Sequence, residues 1–397
     1  MKSLRESPIG ATVVITGHDH RFGVDYEVDA YIPDPLPREV ELSAPTWAEV
    51  SHAMAELGRL DAAAAHAPNP SLLIRVTTRL EAVGTSALEG TYADLTEVFA
   101  AETSEGADEI DELPPRLREV VNYVRTAELA YAWIEDSPLT KAMISSLQRE
   151  LVRGTESDGP QAGNTRTTQV FIGPKGRPLA EARFIPCPPG DQLDAAYDSW
   201  LDWVREDMNP PDLQVLVLTA LAHYQFETIH PYHDGNGRVG RLMAVLQLMR
   251  SRALEHPVLS ISPRLEERKD EYRDQLFNLS LTGNWEPWVR FFVEAVRAEA
   301  TRSRARIDRL LGLQEELSNR VRAQVPRGRL VLDLVDDIIA FPVVTVADVE
   351  RRYETSNQAA RNAVSRLVEE GFLQPFDDAA YGRRFWSPRV FQVIGEA

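Results

Sequence analysis

Apolar residues recur at helical spacing through most of this 397-residue chain, and the pattern predicts a mainly α-helical protein. Breakers separate the segments: Pro68 and Pro70 lie between the first two helices, and Gly90 follows the second. The predicted helices cover residues 47–66, 72–89, 115–134, 140–152, 193–206, 213–229, 237–250 and 265–281, with one more from 289 and a charged one over 298–322.

Two of these helices, 213–229 and 242–249, are apolar on almost every face, which predicts that both are buried. Residues 230–241, which connect them, are mostly polar. A polar loop between two buried helices is held rigidly, and rigid support is what a catalytic site requires.

Two segments depart from the helical pattern. Residues 10–45 alternate short apolar pieces with Pro and Gly, and we expect extended structure or a loop around the helical body. Residues 168–173 are β-like, 173–176 form a turn and 183–186 could be a return strand. A small β-hairpin is therefore expected within the helical core.

The C-terminal part has a different pattern. Two short helices, 343–353 and 356–370, precede a strand after 371–373, a turn at 377–378 and a second strand near 383–386. This order is typical of a winged helix-turn-helix. We expect an N-terminal region over 1–113 with an acidic connection at 102–113, a catalytic core over 114–300, a helical linker over 301–328 and the winged domain over 329–397.

Composition narrows the class of protein. A net charge of −18 argues against a generic nucleic-acid coat or an anionic-membrane binder. A single cysteine, Cys187, excludes an intrachain disulfide and fits a reducing compartment. The N-terminus has no apolar signal core, and no run reaches membrane-spanning length, so we expect a cytoplasmic protein without a membrane partner.

Residues 230–241 read His-Pro-Tyr-His-Asp-Gly-Asn-Gly-Arg-Val-Gly-Arg and carry the chemistry. Gly235, Asn236 and Gly237 begin a helix, whose amide groups and positive end form a seat for phosphate. Arg238 and Arg241 are three apart, so both project from one face toward phosphate oxygens.

Two further residues complete this set. Asp234 is a hard oxygen ligand placed to hold Mg²⁺ against phosphates. His230 is the nearby group able to act as a base at neutral pH. The segment therefore predicts a site that holds a nucleoside triphosphate and removes a proton from an attacking hydroxyl. A metal cluster of His230, His233 and Asp234 is an alternative, but it leaves the Gly-Asn-Gly-Arg-x-x-Arg half unexplained.

The same dozen residues resemble the signature of the Fic family, with Tyr232 where Phe is usual. Residues 169–173 with 184–189 resemble the family's flap, a hairpin that pins the target segment beside the active site. The segment from 265 to the aromatic residues at 285–292 resembles the end of the family core, so the likeness covers about 45–300. It implies a Fic-type helical core with a β-hairpin flap, for which a C-terminal winged helix is a frequent companion.

The resemblance implies that the protein is an adenylyltransferase, which moves AMP from ATP, with Mg²⁺, to a Ser, Thr or Tyr hydroxyl of a target protein or of itself. His230 would take the proton and Asp234 would hold the metal. Developing charge would be stabilised by Asn236 and the amides of Gly235 and Gly237, and Arg238 and Arg241 would balance the phosphates. The flap residues that pin the target would be Val170, Phe171, Ile172 and Gly173.

Residues 85–90 fit the family's inhibitory pattern, Ser/Thr-x-x-x-Glu-Gly/Asn. The implied role of Glu89 is a salt bridge to Arg241, which would leave ATP in an unproductive pose. The brake would lie on an N-terminal helix. In some relatives the same Glu supports removal of AMP, so the reverse activity is an alternative.

The sequence does not decide whether the C-terminal segment, 329–397, binds DNA or protein. Asn357, Gln358, Arg361, Asn362 and Arg366 lie on its second helix and could read base edges. From residue 343 onward seven arginines face eight acidic residues, without the basic surplus of most DNA-binding domains. The alternatives are a DNA-binding regulator with a sensory or self-modifying Fic core, and a protein-interaction module that could form a homodimer. The sequence also does not decide whether the nucleotide donor is ATP, UTP or a CDP-linked nucleotide.

Overall fold

The computed structural model describes residues 3–103, 112–134, 137–173, 176–206, 213–324, 329–377 and 382–395. The predicted connection at 102–113, the turns at 173–176 and 377–378 and the linker near 326–328 lie wholly or partly outside these residues. The chain forms two compact units. The first comprises Met1–Ala55, Arg125–Glu255 and Arg264–Arg297, and the second comprises Glu56–Val124, His256–Pro263 and Ala298–Ala397.

The fold is mainly α-helical, which confirms the prediction. In chain order the helices are α1 (Ala44–Ala65), α2 (Pro70–Leu88), α3 (Leu95–Ala101), α4 (Pro115–Ile134), α5 (Lys141–Leu151), α6 (Asp191–Glu206), α7 (Val215–Ile229), α8 (Asn236–Arg250), α9 (Ser262–Glu267), α10 (Lys269–Thr282), α11 (Trp285–Gln324), α12 (Arg329–Asp337), α13 (Val346–Arg352), α14 (Asn357–Glu369) and α15 (Pro388–Gly395). The strands are β1 (Gly10–Asp19), β2 (Val24–Pro33), β3 (Val343–Thr345), β4 (Gln374–Pro375) and β5 (Arg384–Trp386).

Two of the larger differences from the predicted helices lie between residues 262 and 324. The predicted helix over 265–281 is two helices, because Arg268 leaves the helical region (φ −119°, ψ 34°) between α9 and α10. The two helices predicted from 289 and over 298–322 are one, α11. No Pro or Gly interrupts that sequence after Pro287 until Gly312, so the helix continues unbroken.

The core of the first unit is built on α7 and α8, whose side chains are buried along almost their whole length, as predicted. Two buried indoles donate to main-chain oxygens of α7: Trp200 to Ala222 at 2.9 Å and Trp288 to Ala220 at 2.8 Å. Gly240 permits a close approach of α8 to α7, since a Cβ atom there would lie 2.7 Å from a Glu227 carboxylate oxygen.

The N-terminal segment forms an antiparallel hairpin, β1–β2, with Gly10 opposite Pro33 and Asp19 opposite Val24. Extended structure or a loop was expected over 10–45, and the hairpin occupies the first two thirds of that segment. The hairpin packs on residues near the predicted flap: the amide of Tyr31 donates to the carbonyl of Ile185 at 2.8 Å. Its apolar face contacts Leu179, Ile185 and Phe171.

The flap is less regular than the hairpin that the sequence predicts. Its two sides meet at one bridge, where Ile172 and Phe184 exchange hydrogen bonds of 2.8 and 3.0 Å. Farther along, the side-chain amide of Gln169 donates to the carbonyl of Pro186 at 3.0 Å. Because Pro186 has no N–H, a regular ladder cannot continue there.

The C-terminal part of the second unit contains the elements expected for residues 343–386, with one change. Residues 343–345 form β3 rather than the start of a helix, because Thr345 caps α13 in a capping box with Asp348. β3, β5 and β4 form a three-stranded antiparallel sheet in that order, and α13 and α14 lie between β3 and β4 in the chain.

Within the second unit, α2 is tied to Ser260 and to the first residues of α9, Ser262 and Pro263. The buried carboxylate of Glu81 accepts hydrogen bonds from the Ser260 hydroxyl at 3.1 Å and from the Ser262 amide at 2.9 Å. A Cβ at Gly84 would lie 2.7 Å from the Pro263 nitrogen, so the helix backbone touches this segment. The C-terminal end of α2 is therefore held firmly within the second unit.

No helix among the described residues is both long enough and apolar enough to cross a membrane.

Candidate active site

Residues 230–235 form the loop that joins α7 to α8. His230 ends α7 in the left-handed region, with φ 52° and ψ 62°, and its amide donates to the carbonyl of Phe226 at 2.9 Å. Left-handed backbone is costly for a residue with a Cβ and persists where the surroundings impose it. This conformation turns the chain sharply at the half-buried histidine.

The imidazole of His230 is oriented by the main chain. Its Nδ1 lies 3.2 Å from the carbonyl oxygen of Glu227. A carbonyl oxygen accepts only, so Nδ1 carries the hydrogen and Nε2 holds the lone pair. The ring is therefore arranged to accept a proton at Nε2.

Asn236 closes the loop. Its side-chain oxygen accepts from the amide of Tyr232, and its Nδ2 donates to the carbonyl of the same residue, both at 2.8 Å. Tyr232 is fully buried, and its hydroxyl lies 2.9 Å from that of Tyr197. Burial raises the pKa of Tyr232 to about 12, so the hydroxyl stays protonated. The tyrosine thus anchors the loop in the core and its hydroxyl has a partner there.

The turn into α8 requires glycine. Gly235 has φ 79°, and a Cβ there would lie 2.9 Å from the Leu151 side chain. The helix begins at Asn236, so the amide groups of its first turn have no acceptor within the helix. This places a positive helix end beside the loop that carries His230.

The carboxylate of Asp234 is held in a defined orientation. Oδ1 accepts from the Gly235 amide at 2.7 Å, and Oδ2 accepts from the Ser157 hydroxyl at 2.8 Å. The Asp234 side chain is 42% exposed, whereas Arg238, whose guanidinium is 3.4 Å away, is 4% exposed. The carbonyl of Asp234 accepts from the Gln148 amide at 3.0 Å. An oriented, accessible carboxylate therefore stands next to a buried guanidinium.

The two arginines of the motif are both buried within α8. Burial, and secondly the positive charge of Arg241, lower the pKa of the neighbouring His223 to about 3. His223 lies 2.8 Å from the Tyr272 hydroxyl and 3.2 Å from the carbonyl of Gly240, and it stacks on Trp288. A neutral imidazole thus underlies the motif helix.

Arg166 is a residue of this site that the sequence analysis missed. Its buried guanidinium donates to the carbonyl of His230 at 2.8 Å, and its own amide donates to Pro231 at 3.0 Å. The same guanidinium reaches the carbonyls of Thr168, at 3.3 Å, and of Cys187. The sequence gives no signal for this role, because the partners are main-chain atoms and His230 lies 64 positions away.

The structure places the other predicted residues as follows. The flap residues Val170–Gly173 lie in the same unit as the loop, and the Arg21 guanidinium covers the Phe171 ring at 4.7 Å. Glu89 lies in the second unit, half-buried at the C-cap of α2. His233 is exposed. Across the described residues no three His, Cys, Asp or Glu side chains cluster as metal ligands, so His230, His233 and Asp234 do not form such a cluster.

Comparison with known families confirms the resemblance. Residues 47–132 match the Fic/DOC family N-terminal model, and residues 138–248 match the Fic/DOC family model. The chain therefore contains a Fic/DOC N-terminal segment and a Fic segment, and residues 230–241 lie within the second.

Relatives with assigned names are similar over the same region. Protein adenylyltransferase fic-1 of Caenorhabditis elegans is 30% identical over 165 residues, which are 42% of this chain and 28% of the relative. Protein adenylyltransferase Fic of Nematostella vectensis is 33% identical over 131 residues, 33% of this chain and 26% of the relative. The match therefore spans about a quarter of these relatives' length.

Solved structures share the fold. A Fic family protein from Desulfovibrio desulfuricans G20 superposes with a TM-score of 0.55 at 19% identity, over 88% of this chain and 97% of that chain. Residues 134–508 of Fic-1 from C. elegans give a TM-score of 0.50 at 22% identity, over 67% and 74% of the two chains. At these identities the likeness establishes the helical fold.

Proposed function

We propose that this chain is a protein adenylyltransferase. It transfers AMP from ATP to the hydroxyl of a serine, threonine or tyrosine in a target protein, and self-modification is one case of this reaction. The orientation of His230 is the observation that carries the proposal: Glu227 holds Nδ1, so that Nε2 can accept a proton beside the N-terminus of α8. The names of the relatives support the same reaction.

In the proposed reaction the target hydroxyl oxygen attacks the α-phosphorus of ATP. Its proton passes to Nε2 of His230, the new O–P bond forms, and the bond to the β-phosphate breaks to release pyrophosphate. The polypeptide contributes position and charge, as phosphoryl-type transfers generally require. The amides of Gly237 and the first turn of α8 face developing charge, and Arg238 and Arg241 balance the phosphates.

The proposal includes Mg²⁺ at Asp234. The chemistry of the site fits this ion, because Mg²⁺ is commonly held by one or two carboxylates together with substrate phosphates and waters. Both oxygens of Asp234 are oriented and the side chain is 42% exposed. The ion would neutralise phosphate charge when bound.

Labelled ATP tests the reaction directly. Protein incubated with Mg²⁺ and ATP should become labelled from the α-phosphate position and not from the γ position, since pyrophosphate leaves. His230→Ala should abolish labelling, and the matched control His233→Ala, an exposed histidine three residues away, should retain it. Equal labelling from the γ-phosphate would refute AMP transfer. Replacing ATP by UTP or a CDP-linked nucleotide identifies the donor.

We also propose that Glu89 inhibits the enzyme by pairing with Arg241. The support is the pattern of residues 85–90 and the position of Glu89 at the C-cap of a helix that Glu81 ties down. Glu89→Gly and Glu89→Gln should each raise self-labelling about tenfold or more, a change of about 1.4 kcal/mol or more. Glu128→Gln, which changes an exposed glutamate on α4, is the matched control and should leave the rate unchanged.

The reverse activity has its own signature. If Glu89 supports removal of AMP, protein that carries AMP should release it with Mg²⁺, and Glu89→Gln should stop the release. If Glu89→Gln neither raises labelling nor stops release, the assignment of Glu89 is wrong while that of His230 stands.

A second candidate function is DNA binding by a winged helix at residues 329–397. The supporting observation is that the side chains of Gln358, Arg361 and Asn362, all on α14, are exposed. A gel shift on genomic fragments should then be lost in Arg361→Ala and kept in Arg351→Ala, an exposed arginine on α13. No shift, together with a concentration-dependent dimer in sedimentation, would favour the protein-interaction alternative.

A further inference from the structure

Arg166 is a buried arginine whose partners are main-chain carbonyl groups. Its side chain donates to carbonyls on two separate segments. Ile229, at 3.5 Å, and His230, at 2.8 Å, belong to the end of α7, and Thr168, at 3.3 Å, and Cys187 flank the two sides of the flap. All four contacts come from one guanidinium, which is a rigid plane.

Burial of the Arg166 guanidinium costs desolvation free energy, and its hydrogen bonds offset that cost. Burial lowers the pKa of Arg166 to about 10, and the group still carries its charge at neutral pH. No carboxylate contacts it among the residues that the structure describes; its partners are carbonyl dipoles. A buried charge of this kind is retained where several polar groups converge on it.

The α7 end of this contact coincides with an unfavourable backbone conformation. His230 has φ 52°, which costs a residue with a Cβ about 1–2 kcal/mol. The Nε of Arg166 donates to its carbonyl, and the Arg166 amide donates to the carbonyl of the next residue, Pro231. Carbonyls at a helix C-terminus also carry partial negative charge, which a guanidinium stabilises. Arg166 therefore favours the turn that orients the imidazole.

We propose that Arg166 is a positioning residue. It holds His230 and the flap in one arrangement, so that a target segment bound at the flap lies next to the base. The inference rests on the proposed function, because it assigns the histidine as the base and the flap as the target contact. Arg166 itself touches no reacting atom.

The phosphate side of the site is held by other contacts. Asn236 closes the loop on Tyr232, and Gln148 holds the carbonyl of Asp234. Neither contact involves Arg166. Loss of Arg166 should therefore impair proton transfer and the flap while nucleotide binding stays intact.

The test combines rate, nucleotide affinity and hydrogen exchange in Arg166→Lys and Arg166→Gln, each made together with Glu89→Gly to raise the signal. Self-labelling at saturating ATP should fall about tenfold or more in both variants, because lysine keeps the charge but cannot span four carbonyls. The dissociation constant of a fluorescent ATP analogue should change less than about threefold. Loss of nucleotide binding in both variants would overturn the proposal.

Hydrogen exchange tests the contacts of Arg166 with the end of α7 and with the flap, and it does not depend on catalysis. The amides of Ile172, Phe184 and His230, which are hydrogen-bonded, should exchange faster in Arg166→Lys, and the amide of Val239 in α8 should not change. If wild-type protein shows no AMP transfer but this exchange pattern appears, the proposed function fails and the coupling by Arg166 stands. If exchange is unchanged at all four amides, the coupling is wrong.

Arg306 provides the matched control. It is also buried, its pKa is also lowered to about 10 by burial, and it donates to a main-chain oxygen, that of Ile394, at 3.4 Å in the second unit. Arg306→Lys should lower the melting temperature without changing the self-labelling rate. An equal loss of rate in Arg306→Lys and Arg166→Lys would reduce the effect to general stability and overturn the positioning role.

Discussion

The side-chain amide of Asn236 forms two hydrogen bonds with the main chain of Tyr232, both 2.8 Å long. The oxygen accepts and the nitrogen donates, because a carboxamide carries both an acceptor and a donor. The sequence resemblance gives Asn236 a role in stabilising charge. The geometry adds that it sets the shape of the loop before any ligand binds.

Asn236→Asp should therefore weaken nucleotide binding. The aspartate loses the donor to Tyr232 and buries a charge, and an unsatisfied buried group costs about 1–3 kcal/mol, equivalent to about 5- to 160-fold in affinity. Titration with a fluorescent ATP analogue measures this loss. Asn164→Asp changes an exposed loop asparagine in the same unit and should bind normally. Unchanged affinity in Asn236→Asp would show that the loop closes without this amide.

If the proposed Mg²⁺ site at Asp234 is correct, Ser157→Ala should weaken Mg²⁺ binding there. The hydroxyl orients Oδ2, and partners of this kind typically contribute about 10–100-fold to metal affinity. We expect a higher Mg²⁺ concentration for half-maximal labelling and unchanged binding of the ATP analogue in EDTA. Ser146→Ala, a serine on α5 that bonds its own helix, should behave as wild type. An unchanged Mg²⁺ curve would contradict the prediction.

Tyr232→Phe restores the usual family residue and should leave labelling unchanged while lowering stability by about 1 kcal/mol. The loss comes from the bond to the buried Tyr197 hydroxyl, 2.9 Å away. Urea unfolding followed by tryptophan fluorescence measures it. The double variant Tyr232→Phe/Tyr197→Phe should lose less free energy of unfolding than the sum of the two single losses, because it leaves no unpaired hydroxyl. Strict additivity would mean that the two hydroxyls are not coupled.

His223 makes stability depend on pH. Its pKa is about 3 in the folded protein, whereas that of an unfolded histidine is near ~6.5, so the unfolded chain binds the extra proton between these values. The free energy of unfolding should therefore fall as the pH drops below 6.5, by up to about 1.4 kcal/mol per pH unit. Carboxylates of the unfolded chain titrate near ~4, so they contribute little over pH 5–6.5.

The variant His223→Gln checks this assignment. It can hydrogen-bond with Tyr272 and the carbonyl of Gly240 but does not titrate, so its stability should be flatter over pH 5–6.5. Urea unfolding at a series of pH values gives both slopes. Parallel slopes in wild type and His223→Gln would exclude this histidine as the source.

Local patterns predicted the helices that carry the site. The all-round apolar character of α7 and α8 indicated their burial, and α4 has the bounds that its spacing predicts. The sequence signal for α3 was weak. The helix begins with a capping box between Asp94 and Glu97, but it is only seven residues long, too short to show a clear apolar repeat. The hairpin β1–β2 depends on packing against the flap, which no local pattern reports.

The residues that support the site could not be predicted from sequence. Gln148, Ser157 and Arg166 act on residues 86, 77 and 64 positions away, and two of the contacts end on main-chain oxygens. Main-chain atoms are the same in every residue, so a sequence carries no mark of such partners. The motif itself was visible because its side chains lie within twelve consecutive positions.

Cys187 is the only cysteine of the sequence, and it is fully buried behind the guanidinium of Arg166. Burial raises the pKa of its thiol to about 11, so almost none is the reactive thiolate at neutral pH. A cysteine introduced at an exposed position, such as Thr16 on β1 or Ser365 on α14, would be the one thiol to react with a maleimide dye. The natural protein is therefore ready for site-specific fluorescent labelling without removal of its own cysteine.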